Sequence, residues 1–134
     1  MVNPIQFEPL ALVGAVLLGI VHILLQSAGM TQQLGVAFNL SARDDGRQAQ
    51  GVAARLERAS KNFQETFPLF AAAVLLALAT SQTNQLTSYG ALVYLAARAI
   101  YLPIYVLGTP VVRTLVWGIA SGSIGVVLWG ACCG

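Results

Sequence analysis

The chain has 134 residues, 57% hydrophobic and only 9% charged, with a formal net charge of +2. A soluble domain carries about 25% charged residues, and so short a chain cannot hide this much apolar surface inside a water-soluble core. That composition excludes an ordinary soluble domain, and the lack of a basic stripe with interleaved aromatics excludes a nucleic-acid partner.

At about 20 residues per crossing, the apolar runs predict an all-α integral membrane bundle. It forms a single domain over 1–134, with four helices at about 7–30, 53–80, 86–106 and 111–131. Met1 to Glu8 holds no Lys or Arg, whereas a cleavable signal needs a positive n-region, so the first run is expected to stay as a helix. It follows Pro4 and Pro9, residues suited to a helix start. Within it Ala11, Ala15 and Gly19 recur at every fourth position, a stripe that lets another helix approach closely in lipid. His22 and Gln26 make one polar pair on this helix. With a single His in the chain, His22 is expected to be a hydrogen-bonded interhelical group and not a metal ligand.

The polar stretch Asn39 to Gln50, which includes Ser41, Asp44, Asp45 and Gly46, reads as a surface loop. The uncharged segment Ser81 to Gln85 joins the second and third helices as a hairpin. Pro103 stands near the end of the third helix, and Gly108-Thr109-Pro110 marks a turn. The fourth helix carries the small-residue pairs Gly118/Gly122 and Ser121/Gly125. Cys132 and Cys133 lack metal-ligand spacing and read as small apolar residues at a fraying end in preference to a redox pair.

The seven positive residues are Arg43, Arg47, Arg55, Arg58, Lys61, Arg98 and Arg113. All lie on or towards the side of the first and third connections. Because Lys and Arg concentrate on the cytoplasmic side, both termini are expected on the non-cytoplasmic side.

The second helix holds the most informative stretch. Arg58, Asn62 and Glu65 fall at i, i+4 and i+7 and share one helix face. Counting back about 20 residues from Thr80 reaches about Lys61. Glu65 therefore lies inside the membrane boundary, where a lone carboxylate would be strongly destabilising. On the third helix Tyr94, Arg98, Tyr101 and Tyr105 also share a face. Arg98 stands at a depth similar to that of Glu65, which predicts an ion pair between them. Arg113 opens the fourth helix, where a cation is unfavourable, so an anionic neighbour or ligand is expected there. Arg55 and Lys61 are expected to snorkel. Two polar faces at one depth make a pocket wall, open to the cytoplasm and to lipid. Its arginines, its Asn and its phenolic hydroxyls suit a small anion with carboxylates.

The run RASKNFQETFPLF (Arg58 to Phe70) resembles the signature of the membrane-associated proteins in eicosanoid and glutathione metabolism, the MAPEG family, in the form of its leukotriene synthase branch. LVYLAARAIYLPIY (Leu92 to Tyr105) resembles the same branch. With RTLVW (Arg113 to Trp117), the whole chain is similar to short bacterial members. The resemblance implies a homotrimer in the bacterial inner membrane, with glutathione bound between neighbouring subunits near the cytoplasmic face. It implies that Arg58, Asn62 and Glu65 hold the tripeptide, that Arg98, Tyr101 and Tyr105 line the same site, and that Arg113 stabilises the thiolate. The activity so implied is a glutathione-dependent transferase or peroxidase acting on hydrophobic electrophiles that enter from the bilayer. Three departures stand beside it. Gly29 to Leu34 carries no arginine where eicosanoid-synthesising members have one, Thr66 replaces an aromatic, and the connection from Tyr105 to Arg113 is one residue longer. The missing arginine favours the alternative of a non-catalytic lipid-binding or accessory subunit with a heteromeric membrane partner. A small transporter is the third reading, opposed by the lack of broken helices at the midplane.

Overall fold

The computed structural model describes residues 6–42 and 46–134. Pro4 of the expected helix start, and Arg43, Asp44 and Asp45 of the first loop, lie outside the described residues. The described chain is all-helical: α1 (Phe7–Leu34), α2 (Val36–Leu40), α3 (Gly51–Ala79), α4 (Gln85–Leu107) and α5 (Pro110–Cys133). Four of these, α1, α3, α4 and α5, are long and apolar enough to cross a membrane. Their 28, 29, 23 and 24 residues reach about 35–44 Å at 1.5 Å per residue, against a hydrocarbon core of about 30 Å. The surplus in α1 and α3 is where their polar residues gather.

The core where the four long helices meet is built from small residues. Ala11 and Ala15 of α1, Ala73 and Val74 of α3, Ala91 and Ala97 of α4, and Ala120 and Val127 of α5 are all buried. Small side chains bring the backbones close and maximise dispersion contact, the main cohesive term between helices in lipid. At Gly90 a Cβ would fall 2.8 Å from Val127 Cγ2 and 3.1 Å from the Ser123 carbonyl, so α4 and α5 touch backbone to side chain there. Phe70 and Tyr94 stack at 4.0 Å in the middle of the core. The expected stripe on α5 behaves differently: a Cβ at Gly118, Gly122 or Gly125 would meet nothing within 4 Å. These glycines face outward from the single chain. On α1 most of the apolar surface also faces outward, with Val13, Leu17, Ile20 and Leu24 exposed.

One end of the bundle is tied by polar groups. Asn84 starts α4 with a capping box: its Oδ1 accepts from the Leu86 and Thr87 amides at 2.9 and 3.2 Å. In return, Thr87 Oγ1 accepts from the Asn84 amide at 2.8 Å. The Asn84 side-chain amide also donates to the Gly130 carbonyl at 2.8 Å, pinning the start of α4 to the end of α5. Beside it Glu8, 1% exposed, accepts from the hydroxyls of Thr87 at 2.5 Å and Ser88 at 2.8 Å. A carboxylate in the first turn of one helix and against the first turn of another is favourably placed for both dipoles.

At the other end, α1 runs on past its apolar stretch to Leu34, and Gly35, at φ 89°, turns the chain into α2. Sequence periodicity gives no sign of this five-residue helix. It folds back because Asn39 donates to Thr31 Oγ1 at 2.7 Å and Phe38 is buried. A reciprocal pair, in which Gln33 Nε2 donates to the Gln50 carbonyl at 2.6 Å and the Gln50 amide to Gln33 Oε1 at 2.9 Å, closes the connection to α3. Arg55, expected to snorkel, donates instead to the Val106 carbonyl at 2.9 Å. A cation there meets the free carbonyls and negative dipole end of α4. Gly108, at φ 78°, ends that helix in a left-handed cap, and Pro110 opens α5.

Candidate ligand pocket

A cavity of about 340 Å³ opens between α3, α4 and α5. From α3 come Arg58, Lys61, Asn62 and Glu65, at i, i+3, i+4 and i+7, so a single helix face supplies all four. The last turns of α4 supply Tyr101 and Tyr105, and the first turns of α5 supply Arg113, Thr114 and Trp117. Six of the seven residues singled out from the sequence, namely Arg58, Asn62, Glu65, Tyr101, Tyr105 and Arg113, therefore line one space.

Arg98 stands behind that wall. It is 0% exposed, and its Nη1 donates to Asn62 Oδ1 at 2.9 Å. The expected ion pair with Glu65 does not form, and Glu65 stays exposed. The reason is azimuth: the Arg98 side chain turns inward between rings, 4.4 Å from the Tyr101 centroid and 5.4 Å from that of Phe63. Two of its nitrogens, Nε and Nη2, have no hydrogen-bond partner. Tyr94, which shares the sequence stripe, faces the core and pairs with Thr66 Oγ1 at 3.0 Å.

Arg113 also lies over an aromatic face, 4.6 Å from the Tyr105 centroid. The negative face of a ring offsets part of a cation's isolation, so Tyr105 takes the place of the anionic neighbour expected beside Arg113. Tyr101 and Tyr105 are tilted against each other at 5.5 Å, which makes α4 a rigid aromatic rib flanked by two guanidinium groups. In charge, the lining sets three cations, Arg58, Lys61 and Arg113, against the carboxylate of Glu65. Such a wall accommodates a ligand with several acceptor oxygens or an anionic sulfur, plus one cationic or donor group for Glu65.

Lys61, Thr114 and Trp117 are lining residues that sequence reasoning did not assign to the pocket. The signal for two of them was present: Lys61 lies three residues from Arg58 and four from Glu65, and Trp117 four from Arg113. Their helical spacing places each on the same face as its neighbours.

A second, almost wholly apolar groove of about 250 Å³ runs along the adjacent face of α3. Ala15, Val16, Gly19, Ile20 and Ile23 of α1 form one bank, and Ser60, Phe63, Gln64 and Phe67 of α3 the other. His22 lies beside it, 2% exposed and stacked on Phe63 at 4.8 Å. Neither ring nitrogen has a hydrogen-bond partner, so ring stacking, and not the expected interhelical hydrogen bond, holds this residue.

Among curated proteins and solved structures no significant match to the chain exists. The model of one family, described as the MAPEG family, matches residues 10–133, nearly the whole chain.

Proposed function

The chain belongs to the MAPEG family, and from that membership and the cation-lined cavity we propose a membrane-bound glutathione-dependent transferase or peroxidase acting on hydrophobic electrophiles. It is an integral membrane protein with four apolar helices, in a family of membrane glutathione-related transferase and peroxidase type. The observation that carries the reading is the gathering of Arg58, Asn62, Glu65, Tyr101, Tyr105 and Arg113 around one cavity. Glutathione presents two carboxylates, one ammonium and a thiol. Arg58 and Lys61 suit the carboxylates, Glu65 the ammonium, and Arg113 the sulfur once it ionises.

A free thiol titrates near ~8.5, and a neighbouring cation shifts the equilibrium towards thiolate. The proton leaves to solvent. The sulfur then donates its pair to the electrophilic carbon, forming a C–S bond as the leaving group departs with its own bonding pair. With a hydroperoxide, the sulfur attacks oxygen, the O–O bond breaks, and the alkoxide takes a proton from solvent and leaves as the alcohol; a second glutathione then attacks the sulfenic sulfur, giving the disulfide while the displaced hydroxide leaves as water with the second thiol's proton. Trp117, 42% exposed at the rim, offers an apolar approach for the electrophile from the bilayer.

The same reading includes a homotrimer in the bacterial inner membrane, with the pocket end cytoplasmic and both termini on the far side. The positions of Arg55, Arg58, Lys61 and Arg113 towards the pocket end of their helices, with Arg47 in the connection that precedes α3, support that orientation. Titration of detergent-purified protein with glutathione, by calorimetry or thermal shift, is the test. Saturable binding is expected, and no binding at millimolar glutathione removes the reading.

A second reading, a non-catalytic lipid-binding or accessory subunit, draws on the apolar groove between α1 and α3 and on the missing arginine of the first helix. Retention of cellular function by an Arg58→Ala/Arg113→Ala double variant, with a stoichiometric membrane partner in mild detergent, would select it.

A further inference from the structure

We propose that Arg98 is a positioning residue: it locks the Asn62 amide so that this position can only donate to the ligand. A guanidinium has five N–H donors and no acceptor. The Asn62 atom 2.9 Å from Arg98 Nη1 must therefore be the carbonyl oxygen. With the oxygen committed to Arg98, the NH₂ group is the polar end that Asn62 has left to offer the cavity it lines. Rotating the amide would set N–H against N–H in a contact that is enclosed on the Arg98 side. An asparagine that is ambivalent elsewhere is thus fixed here in one sense, and the ligand must offer it an acceptor oxygen.

Arg98 is itself held in place. The rings of Tyr101 and Phe63 lie 4.4 and 5.4 Å from it, and its side chain is wholly enclosed. Its single hydrogen bond runs to a pocket residue, while Nε and Nη2 have none. A buried cation with unfilled donors is costly for folding. Arg98 therefore stabilises the geometry of the pocket at the expense of the bundle, a division of roles that a purely structural arginine would not show. By fixing Asn62 from behind and the Tyr101 ring from its face, it sets two lining residues without touching the ligand.

The inference rests on the cavity being the glutathione site, and the test separates the two. Apo melting temperature and glutathione affinity are measured for the wild type, Arg98→Met, Arg98→Lys, Asn62→Asp and the Asn62→Asp/Arg98→Met double variant in detergent. Arg98→Met is expected to keep or raise the apo melting temperature while weakening glutathione about tenfold, the loss of one oriented hydrogen bond. Arg98→Lys, still a pure donor, stays within about threefold of wild type. Asn62→Asp gains an ion pair with Arg98, so its apo melting temperature rises and its affinity falls. In the Arg98→Met background the same change lowers the melting temperature. Wild-type affinity in Arg98→Met, or an Asn62→Asp effect on melting that does not depend on Arg98, overturns the inference and leaves the site reading standing. Failure of the wild type to bind glutathione removes both.

Discussion

Replacing Arg113 by Ala removes the cation assigned to the sulfur. A cavity of 340 Å³ is so small that a bound sulfur sits on the order of 6 Å from a guanidinium on its rim, where two unit charges at an effective dielectric of about 20 interact by roughly 3 kcal/mol. That energy corresponds to a shift of about a hundredfold in the thiol–thiolate equilibrium. Starting from a free thiol near ~8.5, glutathione bound at neutral pH would be about three-quarters thiolate in the wild type and a few per cent in Arg113→Ala. The ultraviolet thiolate band, read against bound glutathione from calorimetry, measures this directly. The fold should tolerate the change: a cation near a helix N-terminus is unfavourable by about 0.3–1 kcal/mol, so the apo melting temperature is expected to hold or rise. Arg113→Lys should keep most of the band. An undiminished thiolate signal in Arg113→Ala, with glutathione still bound, would refute the assignment and move the role to Arg58 or Lys61.

Three further outcomes follow from the packing. Glu8→Ala removes the acceptor of a buried hydroxyl, Thr87, and a half-buried one, Ser88; at about 1.5–3 kcal/mol per bond to a charged group, less the relief of a buried charge, it should cost about 2–4 kcal/mol in detergent unfolding. Gly90→Ala drives a methyl group into Val127 and the Ser123 carbonyl, and overpacking of that kind should lower stability by about 1–3 kcal/mol in the same assay. Trp117 lines the cavity, and Trp129 lies twelve residues further along α5, about 18 Å away at the helical rise. Glutathione should therefore change tryptophan fluorescence in the wild type and not in Trp117→Phe.

Helical periodicity made the pocket wall on α3 legible, because Arg58, Asn62 and Glu65 can share a face in only one way. Counting depth along each helix, from Thr80 for Glu65 and from the end of the third helix for Arg98, puts the two residues on one level. Depth does not fix azimuth, however. Arg98 turns into the bundle towards Asn62 and two rings, and the expected pair with Glu65 is lost for that reason. Depth alone marks Lys61 as a snorkelling residue, whereas its spacing from Arg58 places it on the wall. The glycines of α5 show the converse limit. Spacing identifies a face that permits close approach, but not whether the approaching surface belongs to the same chain, and here Gly118, Gly122 and Gly125 have no neighbour within it. The Val36–Leu40 helix was illegible because five residues carry no period, and its position depends on the long-range contacts of Asn39 and Phe38.

The polar ties among the helices are unevenly distributed. Glu8 and Asn84 fasten α4 to α1 and α5 at one end, Arg55 fastens α3 to α4 at the other, and the Arg98–Asn62 bond crosses between the same two helices at the pocket. Among the described residues no side-chain hydrogen bond joins α1 to α3, whose meeting depends on contacts such as Gly19 and His22 against Phe63. Dispersion of about 0.1–0.2 kcal/mol per atom pair is all that an intruding acyl chain must replace there, and its methylenes replace it in kind. The first helix is in effect a door hung at both ends and unlatched along its length, held against α3 by apolar contact with no side-chain hydrogen bond among the described residues.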